Sequence, residues 1–167
     1  RRCRGSARQI ARDLGWSVVD CAEGDHPRTV EDIRQEVLRR ADPVILRDGA
    51  HNAHGMAATV ESLKALFPGK KLVILMGVMV DKDVEDMLNL LSPIAEAVVT
   101  VRPDSPRAMG AAELAALVRR RGVPTCACES VEEGLRIAAM AAGQDGVVCA
   151  LGSLYLAADV RRAAETL

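Results

Sequence analysis

Short runs of β-branched and aliphatic residues alternate with longer stretches of helical spacing from Asp42 onward. Such alternation is typical of βα units, in which each parallel strand is followed by a helix. Five runs have the length and composition of strands: residues 43–47, 71–78, 97–101, 125–128 and 146–151. The pattern predicts an α/β fold, a Rossmann-like, doubly wound, mainly parallel sheet of about five to six strands flanked by helices.

Helix signals stand between these strands. Met56, Val60, Leu63 and Phe67 recur at helical spacing, and a Pro-Gly pair at residues 68–69 then ends that helix. Further helices are expected at about residues 83–91 and 110–121, from the capping box at residues 130–133, and from about residue 154 to the end.

Polar or glycine-rich segments follow every predicted strand: residues 48–52, 77–83, 102–107, 128–130 and 152–153. Because the carboxyl ends of parallel strands meet at one edge of a sheet, these segments are expected to gather there, where ligands bind in open α/β sheets. The candidate chemistry of this chain is therefore sought at that edge.

The first of these segments, residues 48–52 (DGAHN), brings a carboxylate, an imidazole and a carboxamide to the end of a strand. Taken alone, Asp48 fits an Asx turn and Asn52 fits a helix N-cap. The addition of His51, with two small residues that let a ligand approach the backbone, favours a ligand site. His51 and His54 form an H-x-x-H pair without a Glu or third ligand, so we expect no metal site.

Three other segments offer groups that bind anions. Lys82 stands beside a helix start and suits a carboxylate or a phosphate, although a solvated loop with a capping Asp83 fits as well. Two prolines stiffen the loop at residues 102–107 and hold Arg107 outward. Ser153 offers a hydroxyl and helix N-terminal amides after the last strand, but Gly-Ser there is also a common N-cap.

The composition restricts the class of function. The 167 residues carry a net charge of -1, with 49% hydrophobic and 27% charged residues, which is typical of a globular protein without a polyanionic partner. One Trp, one Tyr and one Phe leave almost no stacking platform, so no nucleic-acid binding is expected. The apolar runs are too short to span a membrane and no signal peptide opens the sequence, so a cytoplasmic location is expected. The five cysteines are expected to be reduced thiols.

Two nucleotide-binding signatures are absent from the sequence. No G-x-x-x-x-G-K-[ST] occurs, and no G-x-G-x-x-G follows the first strand. The missing glycine fingerprint disfavours an NAD-type oxidoreductase. The missing P-loop indicates that this chain does not encode a complete nucleotide-dependent active site.

With these residues in view, the sequence from about Arg34 to the end resembles the C-terminal domain of the folylpolyglutamate synthase / dihydrofolate synthase family, within the Mur ligase superfamily. Four matches follow in family order and spacing: DGAHN at 48–52, G-x-x-x-D-K-D at 77–83, SPRA at 105–108 and Gly-Ser at 152–153. Arg34 opens an R-x-E-V run that also resembles the family, although the usual Trp-Pro-Gly before it is Glu31-Asp32-Ile33 here.

The resemblance implies an ATP-dependent amide ligase. In that family an ATPase domain, which holds ATP and most of the Mg²⁺ contacts, activates the carboxylate of a folate or dihydropteroate, and the C-terminal domain carries L-glutamate. The resemblance implies that Asp48 binds the ATP ribose, with Arg34 and Asn52 on the nucleotide side. It implies His51 as the catalytic residue. The residues implied at the glutamate substrate are Lys82, Ser153 and Arg107.

Residues 1–41 depart from the family pattern. They are Arg-rich, with a helical stretch at about residues 6–14 and a polar loop at residues 22–29. We expect them to be a short remnant of the ATPase domain and residues 42–167 to be the glutamate ligase domain, with the ATPase domain supplied in cis or in trans. The alternative is a non-catalytic nucleotide- or amino-acid-binding module of the same fold.

Overall fold

A computed structural model describes residues 22–23, 26–27, 44–143 and 145–164. The chain forms two compact units, residues 1–40 and 41–167. The helical stretch expected near residues 6–14, the predicted site residue Arg34 and the expected domain boundary between residues 41 and 42 lie outside the described residues.

The described residues of the first unit form a small antiparallel pair of strands. Ala22–Glu23 (β1) pairs with His26–Pro27 (β2), and Glu23 lies opposite His26. The sequence pattern predicts only a polar loop here, and a two-residue pair is too short to produce a period-2 signal.

The second unit is built on a five-stranded parallel sheet in the order β3-β7-β4-β5-β6. Its strands are β3 (Val44–Arg47), β4 (Leu72–Met76), β5 (Ala97–Thr100), β6 (Thr125–Ala127) and β7 (Val147–Leu151). β4 is the central strand and β7 is its neighbour. Both are buried along their whole length, as is typical of parallel strands covered on both faces. The predicted fold class is confirmed.

A helix follows each of these strands. The helices are α1 (Ala53–Leu66), α2 (Val84–Leu91), α3 (Ala111–Arg119), α4 (Val131–Ala142) and α5 (Leu154–Ala164). The strand expected at residues 71–78 ends earlier, at Met76. Val78 has left the ladder, and its carbonyl accepts a hydrogen bond from the Met109 N–H at 2.9 Å.

α4 and α5 cover one face of the sheet. Val73, Leu75 and Val99 share a single buried core with Leu135 of α4 and Leu156 of α5. Each of these side chains is at most 2% exposed, so each contributes about 1.5–3 kcal/mol of hydrophobic stabilisation.

The opposite face is covered by the first three helices. Side chains alternate along a strand, so Leu72, Ile74 and Met76 of β4 are buried on this other face. Thr100 of β5 donates its hydroxyl to the Ala111 carbonyl of α3 at 2.8 Å. The sheet is therefore doubly wound, as predicted.

Arg121 fastens α2 to the end of α3. Its guanidinium donates to the carboxylate and the carbonyl of Glu85 and to the side-chain oxygen of Asn89. α1 packs on α2 in turn. The three helices thus form one layer.

The loops that follow β3, β7, β4 and β5 meet through their backbones. We call them together the loop edge: residues 48–52, 152–153, 77–83 and 101–110. Gly152 N–H donates to the Ala50 carbonyl at 2.8 Å, and Val80 N–H donates to the Arg107 carbonyl at 2.9 Å. Met79 and Ala108 form an isolated antiparallel bridge beside the second bond.

Two glycines permit this close approach. Gly152 has a φ of +106°, and a β-carbon on it would lie 2.8 Å from the Gly77 carbonyl oxygen. A β-carbon on Gly77 would lie 2.7 Å from Cγ of Pro103. Neither position has room for a side chain, so the Gly77 backbone packs directly against the Gly152 backbone and the Pro103 ring.

No helix within the described residues is both long enough and apolar enough to cross a membrane. The cytoplasmic location stays a prediction.

Gly134 tests the packing of α4 on the sheet. A β-carbon on Gly134 would lie 3.1 Å from Leu75 Cδ1 and closer still to Val101 Cγ1. We expect Gly134→Ala to lower the free energy of unfolding by about 1–3 kcal/mol through overpacking, although alanine is the better helix former. Urea unfolding followed by circular dichroism measures the change. A gain in stability would mean that α4 does not need this close approach.

Substitution of Gly152 tests the contact between the loops, and the same substitution at Gly122 is the matched control. Gly122 also has a positive φ, +74°, but has open space where a β-carbon would lie. We expect Gly122→Ala to cost about 1–2 kcal/mol for its left-handed backbone and Gly152→Ala to cost about 1–3 kcal/mol more, because the Gly77 carbonyl must move. Chemical unfolding of both variants gives the difference. Equal losses of stability in the two variants would show that the Gly77–Gly152 contact accommodates a side chain without cost.

Candidate functional site

Asp48 lines a cleft of about 370 Å³ at the start of α1. Its Oδ1 accepts the Ala50 N–H at 2.7 Å, which is the Asx turn anticipated as the purely structural role. The other carboxylate oxygen has no hydrogen-bond partner within the described part of the chain. Asp48 therefore fixes its loop with one oxygen and leaves the second available to a ligand.

His51 is half-buried in the same cleft and is held by its own loop. Its Nδ1 lies 2.8 Å from the Gly49 carbonyl oxygen. A carbonyl oxygen only accepts, so we assign the proton to Nδ1. In the neutral ring Nε2 then carries the lone pair, and the described residues give it no partner.

Asn52 caps α1. Its side-chain oxygen accepts the Gly55 N–H at 2.8 Å. The carboxamide NH₂ group makes no hydrogen bond to the described residues. Like Asp48, Asn52 performs a local structural task and keeps one polar group free.

Two buried thiols near the loop edge stay neutral. Burial raises the pKa of Cys149 to about 12, and the nearby carboxylate of Asp48 adds to the shift. Burial likewise raises the pKa of Cys128 to about 11, with neighbouring Cys126 as the next cause. Such pKa values leave almost no thiolate at neutral pH, so neither cysteine is an activated nucleophile.

Lys82 and Arg107 meet at a carboxylate that the sequence analysis did not single out. The Oδ2 atom of Asp81 lies 3.8 Å from Lys82 Nζ and 3.5 Å from Arg107 Nη1. The three side chains form a cluster with two positive charges and one negative. Asp81 stands within the G-x-x-x-D-K-D segment, but its pairing with Arg107 spans 26 residues and gives no local sequence signal.

Ser153 is buried, 2% exposed, at the start of α5. Its Oγ accepts the Tyr155 N–H at 3.1 Å, so it caps the helix. Asp83 caps α2 in the same way and accepts the Asp86 N–H at 3.2 Å. The capping roles weighed for both residues are observed.

The loop edge thus carries Asp48, Lys82, Arg107 and Ser153, as their positions after parallel strands predict. Their roles toward ligands stay predictions, as does that of Arg34. No group of three His, Cys, Asp or Glu side chains within the described ranges is placed to hold a metal ion.

Comparison with known proteins gives one consistent family. Residues 33–154 match the family model of the Mur ligase, glutamate ligase domain. A folylpolyglutamate synthase of Lacticaseibacillus casei is 34% identical over 166 residues, which are 93% of this chain and 37% of that protein. A dihydrofolate synthase/folylpolyglutamate synthase of Bacillus subtilis is 28% identical over 131 residues, 77% of this chain and 29% of that protein.

A solved structure agrees with these matches. The folylpolyglutamate synthase of Mycobacterium tuberculosis, complexed with ADP and AMPPCP, superimposes with a TM-score of 0.68 at 29% identity, over 76% of this chain and 31% of that one. This chain therefore spans about a third of the length of these relatives. The resemblance identified from the sequence motifs is confirmed: the chain belongs to the Mur ligase family, as its glutamate ligase domain.

Proposed function

We propose that this chain is the glutamate-binding domain of an ATP-dependent ligase that adds L-glutamate to a folate or dihydropteroate. One observation supports this most. Two sets of groups, the residues around Asp48 and the positively charged cluster at Asp81, lie on loops joined to one another through the backbones of Gly152 and Gly77. A nucleotide and an amino acid bound at these two places would be neighbours.

The cleft at Asp48 suits the sugar of a nucleotide. The free carboxylate oxygen of Asp48 can accept a hydrogen bond from a ribose hydroxyl, and such charge-assisted bonds are worth about 1.5–3 kcal/mol. The free NH₂ group of Asn52 can donate to the same ligand. Arg34 remains a prediction on the nucleotide side.

The cluster at Asp81 suits glutamate. Two cations against one carboxylate leave a net positive charge for a substrate with two carboxylates. Asp81 keeps Lys82 and Arg107 close together despite their like charges. The buried hydroxyl of Ser153 and the first amides of α5 lie at the same edge and add hydrogen-bond donors.

The proposed chemistry is amide formation on an activated carboxylate. ATP supplies the phosphoryl group that converts the acceptor carboxylate to an acyl phosphate. The glutamate nitrogen forms a bond to the acyl carbon, the carbon–oxygen bond to phosphate breaks, and the nitrogen loses a proton. We assign that proton to Nε2 of His51, whose ring the Gly49 carbonyl holds in place.

An ATPase domain is the expected partner. The sequence has no P-loop, so the backbone amides and the lysine that neutralise the phosphates must come from another domain. Val80, Leu154 and Tyr155 are large apolar side chains that lie about half exposed or more on or beside the loop edge. They are suited to contact with a second domain supplied in cis or in trans.

We expect the purified 167-residue chain to have no measurable ATPase or ligase activity by itself, because backbone amides and a lysine of a P-loop must neutralise the phosphates. Addition of a P-loop ATPase domain from a relative should restore glutamate-dependent phosphate release. Phosphate release by the chain alone, free of contaminating enzyme, would contradict the proposed division of labour. Ligand binding without activity in the reconstituted mixture would favour the non-catalytic module.

A substitution at each of the two proposed ligand sites should weaken the binding of one ligand and leave the binding of the other unchanged. Asp48→Asn keeps the acceptor for the Ala50 N–H but removes the charge, so ADP binding should weaken roughly tenfold or more while L-glutamate binding is unchanged. Lys82→Ala should weaken L-glutamate binding by roughly ten- to a hundredfold and leave ADP unaffected. NMR titrations of the 167-residue chain measure both affinities.

Lys70 provides the matched control for Lys82. Lys70 Nζ lies 3.8 Å from Asp145, the same separation as in the Lys82–Asp81 pair, but before β4 at the opposite end of the sheet. Lys70→Ala should change neither affinity. Equal effects of the Lys70 and Lys82 substitutions would remove the case for a glutamate site.

A further inference from the structure

Asp159 is a charged side chain on the buried face of α5. It lies among Leu156, Val160 and Ala163, which face the core, and is only 7% exposed. A carboxylate is costly to bury unless its oxygens are bonded. The hydrogen-bond partners of its carboxylate therefore indicate its role.

Both carboxylate oxygens of Asp159 are occupied. Oδ2 accepts the backbone N–H of Asp104 at 2.9 Å, across 55 residues of sequence. Oδ1 accepts from Arg162, one turn further along α5, whose side chain is 63% exposed. Arg162 belongs to the same helix as Asp159, so their ion pair connects no separate elements. The bond to Asp104 is the one that ties α5 to another part of the chain.

That bond anchors the loop that carries Arg107. Pro103, next to Asp104, packs where Gly77 has no side chain. Further along, the Arg107 carbonyl accepts the Val80 N–H. The loop is thus fixed by α5 on one side and by the 77–83 loop on the other.

We propose that Asp159 is a positioning residue, which holds the loop at residues 102–107 so that the Arg107 guanidinium stays at Asp81 beside Lys82. The part of this proposal that concerns glutamate rests on the proposed function. Asp159 also borders a second cleft, of about 580 Å³, with Arg102, Glu129 and Glu132 around it. Its two oxygens accept from Asp104 and Arg162, so we assign Asp159 to the loop rather than to that cleft.

Three variants of the full 167-residue chain distinguish the hydrogen bond that Asp159 accepts from Asp104 from the negative charge of its carboxylate. Asp159→Ala removes both bonds. Asp159→Asn keeps an oxygen for the Asp104 N–H without the charge, and Arg162→Ala removes only the ion pair. The last two keep the test possible if the alanine variant does not fold.

Amide hydrogen exchange followed by NMR gives the first readout. In Asp159→Ala, exchange should accelerate about tenfold or more at Asp104 and Val80 and stay unchanged at Leu75 in β4. Asp159→Asn and Arg162→Ala should stay within about threefold of the wild type. Equal acceleration at Leu75 would overturn the proposal, because Asp159 would then stabilise the whole domain. No change at Asp104 and Val80 would also overturn it, because Asp159 would then not hold the loop.

Glutamate affinity gives the second readout. L-glutamate binding should weaken roughly tenfold in Asp159→Ala, as in Arg107→Ala, and recover in Asp159→Asn. If the wild-type chain does not bind glutamate, the proposed glutamate site fails, but the exchange measurement still decides whether Asp159 positions the loop. Wild-type glutamate affinity in Asp159→Ala would overturn the link between the anchor and the site.

Discussion

The contact between Gly77 and Gly152 is the constraint on which the arrangement of the loop edge depends. β4 and β7 are neighbours in the sheet, and their parallel register brings the residues that follow them side by side. The Gly77 carbonyl oxygen lies where a side chain on Gly152 would have to be, so the two loops are in direct backbone contact. The other two loops of the loop edge are positioned by this pair. The 48–52 loop is bonded to Gly152, and the 101–110 loop packs on Gly77 through Pro103.

Much of this architecture is readable in the sequence because it is local. A strand of β-branched residues, a polar turn and a capped helix are encoded within about 30 residues, and a parallel sheet follows from their repetition. Even the caps were visible, since Asn52, Ser130 and Asp83 each accept from an amide three residues later. The predicted β4, β5 and β6 run one or two residues past the observed strand ends, because buried residues such as Val78 continue beyond the ladder into a loop. The predicted ends of β3 and β7 agree with the structure.

The contacts that sequence analysis missed connect residues far apart in the chain. Asp81 reads as one acid in a charged loop, and only the fold reveals that Arg107 lies against it. Asp159 leaves a faint signal, a lone acid at helical spacing with buried apolar residues, but its partner is a backbone amide 55 residues away. A backbone donor has no residue type of its own, so no pattern in the sequence identifies it.

The bridge between Met79 and Ala108 has a consequence for how this domain can be diversified. It joins two loops antiparallel, so it sets a register between them just as a ladder does between strands. An insertion between Met79 and Lys82 would move Lys82 out of step with Arg107. Length variation is therefore compatible with this cation pair only at positions that leave the segments at residues 79–82 and 107–108 intact. Loop grafting between relatives should begin there.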